Sequence, residues 1–194
     1  MPRATDVQVM IDIETAGTTP GSAILQIGAV PFADYCFEFP VPLFNQGIAL
    51  NSCLGAGLTV DKSTTNWWDK QDSALKERIF GSTNRLADTL EAFYLWCKSL
   101  PGIPVVWGNG ANFDITLLEA AFKAVNVPVP WHYRNVMCYR TLTSRFPLPK
   151  ARKDNIPANT RKHDALADAV YQSRVLIETN IYVEEISNGL LRIL

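Results

Sequence analysis

The run VMIDIET, residues 9–15, constrains the fold more than any other stretch of the chain. Val9, Met10, Ile11 and Ile13 read as a buried strand, yet Asp12 and Glu14 interrupt it. Side chains alternate across a strand, so two acids spaced by two point to the same face. Like charges on one face of a buried element repel each other and resist leaving water. Taken alone, the pair reads in two ways. It is either two acids at a strand end that water covers, or a ligand pair for a divalent cation that offsets both charges. Carboxylate ligands favour Mg²⁺ or Mn²⁺ over soft metals.

The rest of the chain can supply a core around such a strand. At 194 residues, with 47% hydrophobic and 19% charged residues, it suits one soluble globular domain covering 1–194. A formal net charge of −1 excludes a broad basic surface as the main grip on nucleic acid, but not a local basic site. Cys36, Cys53, Cys97 and Cys138 lack the spacing of a zinc knuckle or redox pair. They read as buried free thiols suited to a reducing cytoplasm. The first residues, MPRATDVQVM, lack a signal-peptide core, and no apolar run approaches the ~20 residues that span a bilayer. A cytoplasmic protein without membrane contact is therefore expected.

Periodicity gives a coarse element order. Residues 7–13 and 24–32 read as strands joined by the Gly/Thr/Pro-rich TAGTTPGSA, a hairpin arrangement. CFEFPV (36–41) reads as an edge strand ending at its prolines. TTNWWDK and DSALKERIF suggest short helices, and 84–100 a longer one capped by Asn84. Residues 103–108 form a short strand, a helix starts near Asn112, and RNVMCY and YRTLTSRF give a last strand and a short helix. Residues 147–162 read as a loop rich in Pro, Asn and basic residues. A helix from HDALADA follows, and a further segment is interrupted near Gly189. Strands first, then strands alternating with helices, predict a mixed α/β sheet with helices packed on it.

Three later features answer the opening acids. WGNGANFD puts Asp114 after a strand and at a helix start. HDALADA puts His163 five residues before Asp168 at the start of a long helix. Alone, Asp114 reads as an acid favoured by the helix dipole and Asp168 as part of a solvated face. In this order and spacing, IDIET, NGANFD and HDALAD resemble the three motifs of the DEDDh 3′→5′ exonucleases: proofreading exonuclease subunits, ribonuclease T and oligoribonuclease. TTPGSAILQIGAV, STTNWWDKQD and VVWGNGANFD narrow the resemblance to small phage and prophage exonucleases and a mycobacterial exoribonuclease group.

The resemblance implies a ribonuclease-H-like fold, a mixed five-stranded sheet with helices on both faces. It implies two Mg²⁺ or Mn²⁺ ions, one held by Asp12, Glu14 and Asp168 and the other by Asp12 and, through water, Asp114. It implies His163 as general base and nucleoside 5′-monophosphates as products. Asp164, beside the histidine, is assigned no metal. Cations about 3.5–4 Å apart stabilise the attacking and leaving oxygens of an in-line displacement, which is why four acids can share one site. The substrate implied is a 3′ end of single-stranded DNA or RNA. Relatives often form two-fold dimers, which makes a homodimer a candidate assembly.

Substrate-gripping candidates follow. On a helix, Trp67 and Trp68 diverge by about 100°, so one is expected in the core and the other stacked on a base; both being structural is the alternative. Phe113 reads as a wedge against the terminal nucleotide or as plain core, and Asn109 accompanies it in the second motif. Backbone N–H groups of Thr15, Ala16 and Gly17 are candidates for the terminal ribose and phosphate. Lys150, Arg152, Lys153, Arg161 and Lys162, next to His163 in sequence, are candidates for backbone phosphates. A binding module without turnover, the competing function, would lack one of the four acids or the histidine; all five are present.

Overall fold

The computed structural model describes residues 7–33 and 42–193, with side chains to 189. Strands β1 (Gln8–Thr15), β2 (Ile24–Phe32), β3 (Phe44–Gly47), β4 (Val105–Gly108) and β5 (Val136–Cys138) form one sheet in the order β3-β2-β1-β4-β5. β1 pairs antiparallel with β2 and parallel with β4, so the sheet is mixed and β1 lies at its centre. Burial on both faces accounts for the near-continuous apolar reading of β1 and β2.

Alternation along the strands divides the core. Val9, Ile11 and Ile13 face α1 (Leu50–Gly55), α2 (Lys62–Asp69), α3 (Ser73–Phe80), α4 (Leu86–Ser99) and α5 (Asp114–Ala124). Met10, Val30, Phe32, Val105 and Trp107 face α6 (Tyr139–Arg145) and the long α8 (Ala165–Ile193). Helices thus cover both faces, as expected. Asp12 and Glu14 continue the α8 face toward the C-terminal end of β1.

Four local readings are corrected. Asn84 does not cap α4; its side chain donates to the Gly47 carbonyl, and Ser52 Oγ accepts from Leu86 N–H instead. Residues 44–47, without visible periodicity, form the edge strand β3, because only one neighbour and one covered face shape so short a strand. The basic loop contains a short helix, α7 (Lys150–Asp154). α8 runs through Gly189 unbroken, since one glycine weakens a helix by only about 1 kcal/mol. The edge strand expected at 36–41 and Cys36 lie outside the described residues. Cys53 and Cys97 are buried free thiols, whereas Cys138 is half-buried. Among the described residues no helix is long and apolar enough to cross a membrane.

Candidate active site

The site lies where β1 meets the start of α8. Register pairs Asp12 with Gly28 of β2. A Cβ on Gly28 would overlap the Ala165 carbonyl carbon and the Leu166 nitrogen, so only glycine lets α8 start directly on the sheet. Gln26, opposite Glu14, accepts from Ala165 N–H (3.1 Å) and donates to Asn45 (2.9 Å), tying that helix start to β2 and β3. Asp164 caps the helix by accepting from Ala167 N–H and pairs with Arg78 at 3.3 Å. One turn into the helix, Asp168 comes beside the two β1 acids.

Carboxylate oxygens of Asp12, Glu14 and Asp168 lie within 4.8 Å of one another. Asp114, the fourth acid, stands outside that trio, buried at the start of α5. Its Oδ2 has no hydrogen-bond partner, and it lies against Gly108, where a Cβ would come within 3.1 Å. Burial raises all four carboxyls, and repulsion from neighbouring acids adds to it at Asp12 and Glu14. Burial and the charges of Asp168, Asp164 and Asp114 push Glu14 up to about 8. Burial pushes Asp114 up to about 7, and burial with Asp114 nearby raises Asp12 well above its usual range. Asp168 is also raised by burial, against the N–H of His163 (3.0 Å) and the amide of Asn159 (2.7 Å), both of which it accepts. An all-oxygen donor set, an orphaned buried oxygen and acids held from ionising together fit a hard divalent cation.

A cleft of about 540 Å³ opens over the acids, bordered by Asn109, Asn159, Lys162, His163, Tyr171 and Gln172. His163 has φ +59°, an uncommon left-handed conformation for a side chain this size. Its ring meets the edge of Trp67 at 4.8 Å. The two tryptophans part as expected. Trp68 is buried and donates from Nε1 to the Thr15 carbonyl (2.8 Å), while Trp67 is 40% exposed. Trp67 and half-buried Phe113 border a neighbouring cleft of about 330 Å³ that shares Ile13 and Glu14 with the first. Thr15 borders it too. A register shift between Glu14 and Thr15 bends the strand end here.

Two groups of gripping candidates fare less well. The Ala16 N–H donates to the Ala23 carbonyl (2.9 Å), so that donor is committed to the hairpin and not open to a ligand; Gly17 is buried beside Ser22 and Asp61. Arg152 turns to Glu178 (2.7 Å) and Glu185 of α8, away from the acids. Lys150 is exposed at the start of α7, and Arg161 borders a separate cleft with Asn45 and Arg174. Of the basic run only Lys162 borders the cleft over the acids. Sequence reasoning missed Gln172, which donates to Asp12 Oδ1 (2.8 Å), and Asn159. Gln172 lies four residues after Asp168 on the same helix face, a spacing that could have revealed it.

A family model for the Rv2179c-like 3′-5′ exoribonuclease domain matches residues 7–179. The chain belongs to this family. The Rv2179c-like domain also resembles solved structures. Escherichia coli exonuclease I in complex with a dT13 oligonucleotide matches with a TM-score of 0.65 at 13% identity, over 94% of this chain and 43% of that one. The nuclease domain of 3′hExo, a DEDDh family member bound to rAMP, matches with a TM-score of 0.57 at 12% identity, over 93% and 92% of the two chains. The chain thus spans less than half the length of exonuclease I. At such identities the likeness is one of fold, and it confirms the ribonuclease-H-like architecture. No curated protein matches the chain in sequence.

Proposed function

We propose that this chain is a metal-dependent 3′→5′ exonuclease that acts as one domain over residues 1–194 on single-stranded nucleic acid. The observation that carries the proposal is the trio of Asp12, Glu14 and Asp168 oxygens within 4.8 Å, open to the cleft that His163 borders. Membership in an exoribonuclease family supports RNA as a substrate. The dT13 complex of the structural neighbour supports single-stranded DNA as well, and the rAMP complex is in keeping with RNA.

Asp12, Glu14 and Asp168 would hold one Mg²⁺ or Mn²⁺, and Asp12 with Asp114 a second. When bound, the ions offset the charge gathering on the attacking and leaving oxygens of the phosphodiester. The protein's own groups do the rest. His163 takes the proton from the attacking water. The His163 backbone N–H and Asn159 hold Asp168, and Gln172 holds Asp12, so the ligand oxygens are fixed before substrate arrives. Trp67 and Phe113 seat the terminal base in the aromatic cleft, and Asn109 borders the cleft over the acids. Hydrolysis then releases a nucleoside 5′-monophosphate.

Digestion of a 5′-labelled single strand with Mg²⁺ or Mn²⁺ tests this. A ladder shortening from the 3′ end is expected for RNA and DNA, and none in EDTA. Retention of the strand without cleavage would instead identify a binding module, and internal cuts an endonuclease.

A further inference from the structure

Lys162 borders the cleft over the acids, and two further cations, distant from it in sequence or separated from it by the loop, line a cleft beside it. Along α8, Asp168 and Gln172 face the active-site cleft, while Tyr171 borders both it and a second cleft of about 480 Å³ between α6 and α8. Val175 and Thr179 extend that second cleft along the same helix, and Arg140 of α6 and Lys153 of α7 supply its charge. No acid borders it.

Local packing places both cations. Arg140 lies over Gly110, which has φ +105° and where a Cβ would overlap the guanidinium. The arginine is therefore held against the β4–α5 turn that also carries Asn109 and Asp114. Arg152 anchors α7 to α8 through Glu178 and Glu185, and its neighbour Lys153 is left to the cleft. The basic run thus divides: one residue builds the wall and the next furnishes it.

Two unlike clefts adjoin the one over the acids. The aromatic one shares Ile13 and Glu14 with the site; the basic one shares Tyr171. We infer that the basic cleft seats the backbone phosphates on the 5′ side of the scissile bond, with Arg140 and Lys153 as phosphate contacts. The inference rests on the exonuclease reading. Aromatic faces stack bases whatever their sequence, and cations track the backbone. A strand laid across the acids with its last base between Trp67 and Phe113 leaves its remaining phosphates on the side of Arg140. From Asp168 to Thr179 the helix runs roughly 16 Å. A stacked strand rises about 3.4 Å per nucleotide, so more than one unit fits. Retention of strands longer than a dinucleotide follows from this cleft and not from the metal site.

Fluorescence anisotropy in EDTA, where no hydrolysis occurs, tests this with a labelled 12-nucleotide single strand and a labelled dinucleotide. The Arg140→Ala/Lys153→Ala variant should bind the 12-mer about tenfold or more weakly. The slope of log K against log salt should shrink by about 1.4, near 0.7 for each lost phosphate contact. Dinucleotide affinity should hold within about twofold, and Lys98→Ala/Lys123→Ala, exposed lysines of α4 and α5, should change neither. Exposed Lys153→Ala alone, which leaves the Gly110 contact intact, should show about half the slope change. An unchanged 12-mer affinity and slope, or an equal loss for both ligands, overturns the inference. Cleavage by the unsubstituted protein is scored separately. Strand bound through Arg140 but never cut would remove the exonuclease reading and keep the cleft; strand cut with no dependence on either cation would do the reverse.

Discussion

Trp67 and Trp68 are neighbours with different environments, and each should answer to a different measurement. Trp68→Ala removes a buried ring and its bond to the Thr15 carbonyl. It should destabilise the protein by about 3–5 kcal/mol, read as a fall in the denaturant midpoint. Trp67→Ala should leave stability nearly unchanged and weaken single-strand binding by ~1–3 kcal/mol. Wild-type affinity in that variant would remove the stacking role. His163→Ala should lower kcat by about 10²–10⁴-fold, because a positioned base is lost. A kcat within about twofold of wild type in that variant would assign His163 to packing against Trp67 and nothing more.

At the scale of elements, the junction of β2 with α8 decides whether the acids meet. Asp168 belongs to a helix and Asp12 and Glu14 to a strand, so their distance depends on how closely α8 approaches the sheet. Gly28 sets that approach, and Gln26 and the Asp164 cap fix the helix start. Gly28→Ala must push α8 outward. Overpacking of this kind costs about 1–3 kcal/mol, and displacement of Asp168 should lower kcat more than tenfold even in the fraction that folds. Thermal melting and single-turnover hydrolysis on the same preparation check both. Near-native turnover would mean that α8 can shift without moving Asp168.

Across the whole molecule, folding gathers acids that water would keep apart, so stability of the metal-free protein should depend on pH. Glu14 is raised from 4.5 to about 8 and Asp114 from 3.8 to about 7. Between those values the folded chain holds protons that the unfolded chain has released, so stability falls as pH rises. The metal-free Tm should therefore drop from pH 5 to pH 8, and Mn²⁺ should raise it most at pH 8. Asp168→Asn, which removes one repelling charge, should raise the metal-free Tm at pH 8 while abolishing turnover. A metal-free Tm independent of pH would contradict the crowding of these carboxylates. The sequence by itself determined the strand that carries Asp12 and Glu14, the order of the three motifs, the mixed sheet and the different environments of the two tryptophans. These are properties of local alternation and of residue types at short spacing. Tertiary structure alone decided that Gly28 admits α8 and that Arg152 pairs with Glu178 and Glu185 while Arg140 flanks Asp114; for Gln172 the helix spacing marks the face, and the fold chose Asp12 as its partner. Each of these joins residues distant along the chain, or chooses between like charges by which helix lies nearer. No local pattern encodes such choices, because they depend on the three-dimensional packing of β2, α6, α7 and α8.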